Sequence, residues 1–216
     1  MAQGFFITGT DTNVGKTVLS ALLCAALPAR YWKPIQTGAR EGTDREQVIR
    51  WAGLTADLAP PEAYIFQDPV SPHLAARNEG AEISFATISI PGRVSTPKDS
   101  SGLPLIVEGA GGVLVPVNSH QFMLDLMVHL SFPIILAARS TLGTINHTLL
   151  SLRALREARL SVRGVVLIGP ENLENQKAIE HYGQISVIGL IPQLKEINRQ
   201  ALCGTFAKHF NREAFA

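Results

Sequence analysis

The sequence predicts an α/β fold in three layers, a mostly parallel β-sheet with helices on both of its faces. Three observations carry that prediction. Short apolar runs that read as strands alternate with helical patterns from one end of the chain to the other, the arrangement that builds parallel sheets. The first of these runs, Phe5-Phe6-Ile7, passes through a glycine-containing turn directly into an apolar helix. The 216 residues, 46% hydrophobic and 17% charged, are enough to bury one α/β core and do not have the composition of a disordered chain. Residues 1–216 read as one domain, with no internal repeat, low-complexity tract or linker.

The elements follow in order. Strand one is Phe5–Thr8, and the turn after it is Gly9-Thr-Asp-Thr-Asn-Val-Gly15-Lys16-Thr17. A turn of this composition at a helix start offers backbone N–H groups to an anion. Lys16 would reach the outer phosphates of a nucleotide, and the Thr17 hydroxyl would hold a magnesium ion. Five residues rather than four separate Gly9 from Gly15, so Thr10 stands where the usual phosphate-binding loop has its first glycine. The helix that follows, Val18–Leu27, is closed by Pro28. A short strand, Ala29–Trp32, delivers Lys33-Pro-Ile-Gln-Thr37-Gly38 to its C-terminal end, and ligands of open parallel sheets bind outside those ends. Asp44 opens a helical pattern through Trp51, and local sequence alone reads it as the helix N-cap.

Pro60-Pro61 and Asp68-Pro69 mark a loop-rich region up to His73, followed by a helical fragment, Leu74–Arg77. Ser71-Pro72-His73 forms a local cluster whose histidine reads as structural. Residues 80–102 resist assignment: Ile83–Ile90 is rich in β-branched residues, but periodicity does not decide strand from helix, and Pro91-Gly92 interrupts the run. A buried strand over Leu105–Val107 then ends in Glu108-Gly-Ala-Gly-Gly112. A carboxylate at a strand tip, on a sheet that also carries a phosphate loop, stands where a second magnesium contact is needed. Met123–Leu130 is an amphipathic helix and Pro133–Ala138 a buried strand. Ser140–His147 is a polar turn into the helix Thr148–Ala158, where Gly143, Thr144 and Asn146 suit a carboxylate. The strand Val162–Ile168, the helix Glu174–Tyr182, the strand Ile185–Ile191 and a last helix, Ile197–Phe210, complete the chain.

Composition narrows the function. A formal charge of +1 with no basic run argues against a nucleic-acid partner or a charged membrane surface. Cys24 and Cys203 lack metal-ligand spacing and read as a reduced pair. The first strand begins almost at once, leaving no room for a signal peptide, and the longest apolar runs, such as Phe132–Ala138, are too short for a bilayer. The expectation is a soluble cytoplasmic protein.

The assembled motifs resemble those of the dethiobiotin synthetases, phosphate-loop enzymes of biotin biosynthesis. The match runs in family order through Gly9–Thr17, Lys33-Pro-Ile-Gln-Thr-Gly38, Asp44, Ser71-Pro-His73, Val107-Glu-Gly-Ala-Gly-Gly112, Gly143-Thr-Ile-Asn-His147 and Gly189-Leu-Ile-Pro192. The resemblance implies the P-loop NTPase fold and an ATP-dependent ring closure of 7,8-diaminononanoate with carbon dioxide. One amine captures carbon dioxide as a carbamate, the carbamate oxygen attacks the γ-phosphate, and the second amine displaces phosphate to close a cyclic urea. It also implies Lys33 as the catalytic lysine beside the carbamate, Lys16 on the phosphates, and Thr17, Asp44 and Glu108 as Mg2+ ligands. Asn13, Val14, Gly15, Lys16, Thr17 and Val18 would wrap the phosphates. Gly109, Ala110 and Gly111, with Pro192, Gln193 and Leu194, would complete the nucleotide site. Thr12 and Thr37 would approach the substrate. The family's active sites lie at a homodimer interface, so Gly143, Thr144 and Asn146 would hold the substrate carboxylate of the neighbouring subunit's site.

Three departures from the family pattern stand out. Asn13 replaces a common Glu, Ile168-Gly169 replaces an Asn-Asp pair that often reads the adenine (Asn172 and Asn175 lie a few residues on), and residues 80–102 are shorter than the usual helix there. The rival ligases acting on cobyrinic acid carry an added glutaminase domain, for which this chain has no room. Partition ATPases carry an extra lysine early in the loop, where this chain has Thr10 and Asp11.

Overall fold

The computed structural model describes residues 4–91 and 102–215. Its centre is a six-stranded, wholly parallel sheet: β1 (Gly4–Gly9), β2 (Arg30–Trp32), β5 (Leu105–Gly112), β6 (Ile134–Arg139), β7 (Val162–Ile168) and β8 (Val187–Ile191), in the order β2-β5-β1-β6-β7-β8. Two short strands, β3 (Ile35–Gln36) and β4 (Tyr64–Ile65), pair in parallel as a separate ribbon. Seven α-helices lie among the described residues: α1 (Lys16–Ala26), α2 (Asp44–Ala52), α3 (Pro72–Asn78), α4 (Met123–Leu130), α5 (Thr144–Glu157), α6 (Leu173–Gly183) and α7 (Arg199–His209).

Strand alternation explains the layers. In β1, Phe5 and Ile7 enter one apolar cluster with Leu19 and Leu22 of α1, Val48 of α2, and Leu202 and Phe206 of α7. Phe6, between them, faces the opposite cluster with Met123 and Leu126 of α4 and Leu155 of α5. Period two along the strand therefore feeds both faces, as a sheet covered on both sides requires. The three-layer α/β fold predicted from the sequence is present.

Several boundaries differ from the sequence expectation, each for a physical reason. Helix α1 starts at Lys16 rather than Val18, because left-handed Gly15 already turns the chain into the helix. Helix α5 starts at Thr144 rather than Thr148, after a second left-handed glycine, Gly143. Strand β5 runs on through its glycines to Gly112, where Gly112 pairs with Gly9 of β1. The N-cap of α2 is Thr43, not Asp44. The Thr43 hydroxyl accepts from the Glu46 N–H, and the Glu46 carboxylate accepts from the Thr43 N–H, which closes a capping box. Of the segment 80–102, residues 92–101 lie outside the described residues. In the described part, Ile83, Phe85 and Ile88 are buried around one 3-10 turn, Phe85–Thr87, and plug the apolar face as an irregular segment.

Candidate active site

The phosphate loop leaves β1 at Gly9 and is tied to β6 at once, where the Thr10 N–H donates to the Ala137 carbonyl at 2.9 Å. Two residues bend it through left-handed conformations, Asn13 at φ 57° and Gly15 at φ 101°. Asparagine tolerates that region better than most residues. A side chain at Gly15 would also meet Ile168 at 3.0 Å. The loop's outer limb is braced by Arg139 at the end of β6. One guanidinium nitrogen donates to Asp11 Oδ2 at 2.8 Å and the other to the Thr12 carbonyl at 3.1 Å, while the Thr12 N–H donates to Asp11 Oδ1 at 2.7 Å. Burial acts against the Asp11 charge, but Thr12 and Arg139 outweigh it and hold the carboxyl below its ordinary range.

Strand register assembles the charged residues. Trp32 of β2 pairs with Val107 of β5, so the next residues, Lys33 and Glu108, emerge side by side. Glu108 is also in register with Ile7 of β1, which brings its carboxylate to the start of the phosphate loop. The Lys33 ammonium, 5% exposed, bridges Asp44 Oδ2 at 2.6 Å and Glu108 Oε1 at 3.0 Å, and Glu108 is itself 1% exposed. Thr17 Oγ1 lies 3.0 Å from both Asp44 Oδ1 and Glu108 Oε1. On the far side of Glu108, the buried Tyr31 hydroxyl donates to Oε2 at 3.1 Å. Asp44 reaches this point because Thr43 takes the cap and the Gln36 side chain accepts the Asp44 N–H at 3.0 Å. The Asp44 carboxylate is thereby left for Lys33 and Thr17.

The charges are strongly shaped by their surroundings. Burial drives the Lys16 pKa down from 10.5 to about 8, with the positive charge of Lys33 adding to the fall and Glu108 opposing it. Lys16 rests with its ammonium donating to the Asp11 carbonyl at 3.1 Å. Burial acts on Lys33 in the same direction, yet the Glu108 and Asp44 carboxylates override it and push its pKa above the ordinary lysine value. For Asp44, burial is outweighed by Lys33 and Thr17, and its carboxyl is held below the usual range. Lys33 is thus a fixed cation, and Lys16 is one whose charge costs free energy to keep buried.

Thr17, Asp44 and Glu108 offer three convergent oxygens with no nitrogen or sulfur among them. A hard cation such as Mg2+ is bound by oxygen donors of this kind, so the residues present fit that ion. The Thr17 hydroxyl lies within hydrogen-bond distance of both carboxylates, so little rearrangement would bring all three onto one centre.

The remaining sequence candidates are dispersed. Gly109 lies against Phe6, where a Cβ would come within 2.8 Å of the ring, and Ala110 is buried in the apolar cluster with Met123. Left-handed Gly111 turns the strand end. Pro192, Gln193 and Leu194 follow β8, with Leu194 packed against the α1 cluster. Gly143, just before α5, and Asn146 in its first turn are exposed, whereas Thr144 is buried with its hydroxyl 3.4 Å from that of Thr148. Thr37 is half-buried, and its carbonyl accepts from Gln36. Thr12 lines a cavity of about 290 Å3 between the phosphate loop, the Val113–Val115 segment, and His147, Leu150 and Ser151 of α5. The sequence reading missed Asp11, Val115, Leu150 and Ser151 there, although His147, Leu150 and Ser151 share one face of α5 by their spacing.

Asn172 caps α6 by accepting from the Asn175 N–H, and Asn175 donates to the Ser140 carbonyl at 2.9 Å. Both asparagines near the missing Asn-Asp pair therefore hold secondary structure together. Ser71 Oγ lies 3.0 Å from His73 Nδ1 at the start of α3, and Cys24 and Cys203 are free thiols.

Comparison with known proteins matches residues 3–201 to the AAA domain family. The chain is 45% identical over 215 residues to an ATP-dependent dethiobiotin synthetase of Agrobacterium fabrum, covering 100% of this chain and 98% of that one. It is 43% identical over 215 residues to the protein of the same name from Rhodopseudomonas palustris, covering 100% and 97%. Among solved structures, a ParA family ATPase from Chlorobium tepidum superposes with a TM-score of 0.48 at 11% identity, covering 94% of this chain and 90% of that one.

Proposed function

The chain belongs to the ATP-dependent dethiobiotin synthetases, and from that premise we propose that its charged cluster closes the ring of dethiobiotin from 7,8-diaminononanoate and carbon dioxide, with conversion of ATP to ADP and phosphate. The observation that carries this reading is the buried Lys33 ammonium held between Asp44 and Glu108 beside the phosphate loop. A carbamate and a triphosphate repel each other, so the reaction needs fixed positive charge where they meet. Lys33 supplies it as the catalytic lysine. Lys16 leaves the Asp11 carbonyl for the phosphates, which the backbone of Asn13, Val14, Gly15, Lys16, Thr17 and Val18 encloses. Thr17, Asp44 and Glu108 would hold Mg2+, which when bound would draw charge from the phosphate oxygens. Gly109, Ala110, Gly111, Pro192, Gln193 and Leu194 belong to the nucleotide side, and Thr12 and Thr37 meet the diamine.

The working form is a homodimer with its active sites at the interface, and Gly143, Thr144 and Asn146 receive the substrate carboxylate of the partner's site. Exposed Leu114, Leu142 and Leu150 support this reading, because two of them border the cavity and an apolar rim of this kind favours a second copy. Among the described residues no helix is long and apolar enough to cross a membrane. The protein acts as one cytoplasmic domain, with no nucleic-acid or membrane partner.

The test is phosphate release by the purified protein with ATP, bicarbonate and Mg2+, with and without 7,8-diaminononanoate. Release that depends on the diamine, with one dethiobiotin per ATP, is expected. Hydrolysis indifferent to the diamine would overturn the proposal and favour a nucleotide-driven switch. Lys33→Ala is expected to abolish product while nucleotide still binds.

A further inference from the structure

Tyr31 takes no part in the chemistry above, yet it is wholly buried against the most buried carboxylate of the site. Its hydroxyl donates to Glu108 Oε2 at 3.1 Å. The other oxygen, Oε1, accepts from both Thr17 and Lys33 at 3.0 Å. The carboxylate is therefore divided, with one oxygen facing the tyrosine and one facing the site. Rotation about the last bond of a glutamate side chain is soft, so this division needs something to hold it. Tyr31 does so.

The division has a consequence for cations. A divalent ion held by Thr17 and Asp44 would meet Glu108 on the side of Oε1, the oxygen that Lys33 and Thr17 already touch, since Tyr31 holds Oε2. Two cations on one oxygen repel, and a buried site screens that repulsion poorly. We propose that Tyr31 is a positioning residue that leaves Glu108 one working oxygen, so that Lys33 and the divalent cation exchange on it. Lys33 bridges the carboxylates while no divalent cation is bound, and would leave Glu108 for the reacting carbamate once the cation site fills. This rests on the cation reading of Thr17, Asp44 and Glu108, and its principal test needs no turnover.

Mn2+ binding to the whole protein, alone and with ADP, is measured by electron paramagnetic resonance. Tyr31→Phe keeps the ring and frees Oε2 for Lys33, so the two cations no longer compete. Mn2+ is expected to bind at least about fivefold more tightly while kcat falls roughly tenfold, because Lys33 stays behind on Glu108. A purely structural role would weaken both. Lys33→Gln also tightens Mn2+, and in that background Tyr31→Phe adds less than about twofold. Lys16→Gln removes a charge that acts on Glu108 through space without sharing its oxygen, and is expected to tighten Mn2+ less than Lys33→Gln does. Unchanged or weaker Mn2+ binding in Tyr31→Phe would overturn the proposal, as would full additivity with Lys33→Gln or an equal effect of Lys16→Gln. Were the protein to make no dethiobiotin, the Mn2+ comparison would still decide.

Discussion

Raising the pH through the titration of Lys16 is the perturbation that most directly probes the phosphate loop. Burial puts its pKa at about 8, against 10.5 for an ordinary lysine. Below pH 8 the ammonium is present before nucleotide arrives, and binding needs no proton. Above it the free site is neutral, whereas a bound triphosphate favours the charged form and raises the pKa of the complex. Affinity is therefore full below about pH 8 and falls as pH rises, by about tenfold or 1.4 kcal/mol per unit, until the pKa of the complex is reached. At pH 9 nucleotide binding should take up close to one proton. Titration calorimetry of a non-hydrolysable ATP analogue, in two buffers of different ionisation enthalpy, reads both quantities. The last phosphate proton of the nucleotide is gone well below this range, and Lys33, raised by its carboxylates, stays charged across it. Lys16→Arg, charged at every pH used, should remove the dependence. Affinity that stays flat from pH 7.5 to about 9.5 with no proton uptake would refute the assignment of Lys16 to the phosphates.

Other consequences follow from the packing. Thr43→Ala removes one half of the capping box and should cost about 1 kcal/mol of stability, read by denaturant unfolding. It should also weaken Mn2+ binding, since Asp44 is aimed by that helix end, and a stability loss with unchanged Mn2+ affinity would separate the two roles. Gly109→Ala drives a methyl to within 2.8 Å of the Phe6 ring, and overpacking of this kind costs about 1–3 kcal/mol, again read by unfolding. On the proposed homodimer, Leu142→Glu places a charge on a fully exposed apolar tip and should shift the protein toward monomer in sedimentation while nucleotide binding persists.

The residues that converge beside the phosphate loop were legible because each sits in a contiguous motif at a strand end. The alternation of strands and helices set Lys16, Thr17, Lys33 and Glu108 at strand ends, and their motifs marked them there. Asp44 was read as a cap because it is an acidic residue at a helix start. The better signal was Thr43-Asp-Arg-Glu46, whose Thr and Glu are spaced as a capping box and displace Asp44 into the first turn. The β3–β4 ribbon escaped notice because two residues per strand carry no period. Ile83–Ile90 was undecidable because its apolar residues fill the face beside Phe66 and Met127 as a plug, for which neither helical nor strand periodicity is needed. Tyr31, Gln36 and Arg139 were invisible for a different reason. They touch the site through partners 77, 8 and 128 positions away in the chain, so only the fold brings them there.

Charge balance within the cluster bears on what the reaction must bring with it. Lys16 and Lys33 carry two positive charges against the two negative charges of Asp44 and Glu108. These charges are tolerable because they cancel, and because Lys33 is hydrogen-bonded to both carboxylates. That same cancellation leaves little positive charge for a triphosphate and a carbamate, since Lys33 is already matched by two carboxylates. A site of lysines alone would have to abandon those carboxylates, which is costly in the interior. A divalent cation on Thr17, Asp44 and Glu108, as proposed above, would resolve the conflict. On the proposed reading such an ion would offset the carboxylates and release Lys33 from Glu108, so that filling the cation site would also ready the lysine for the carbamate.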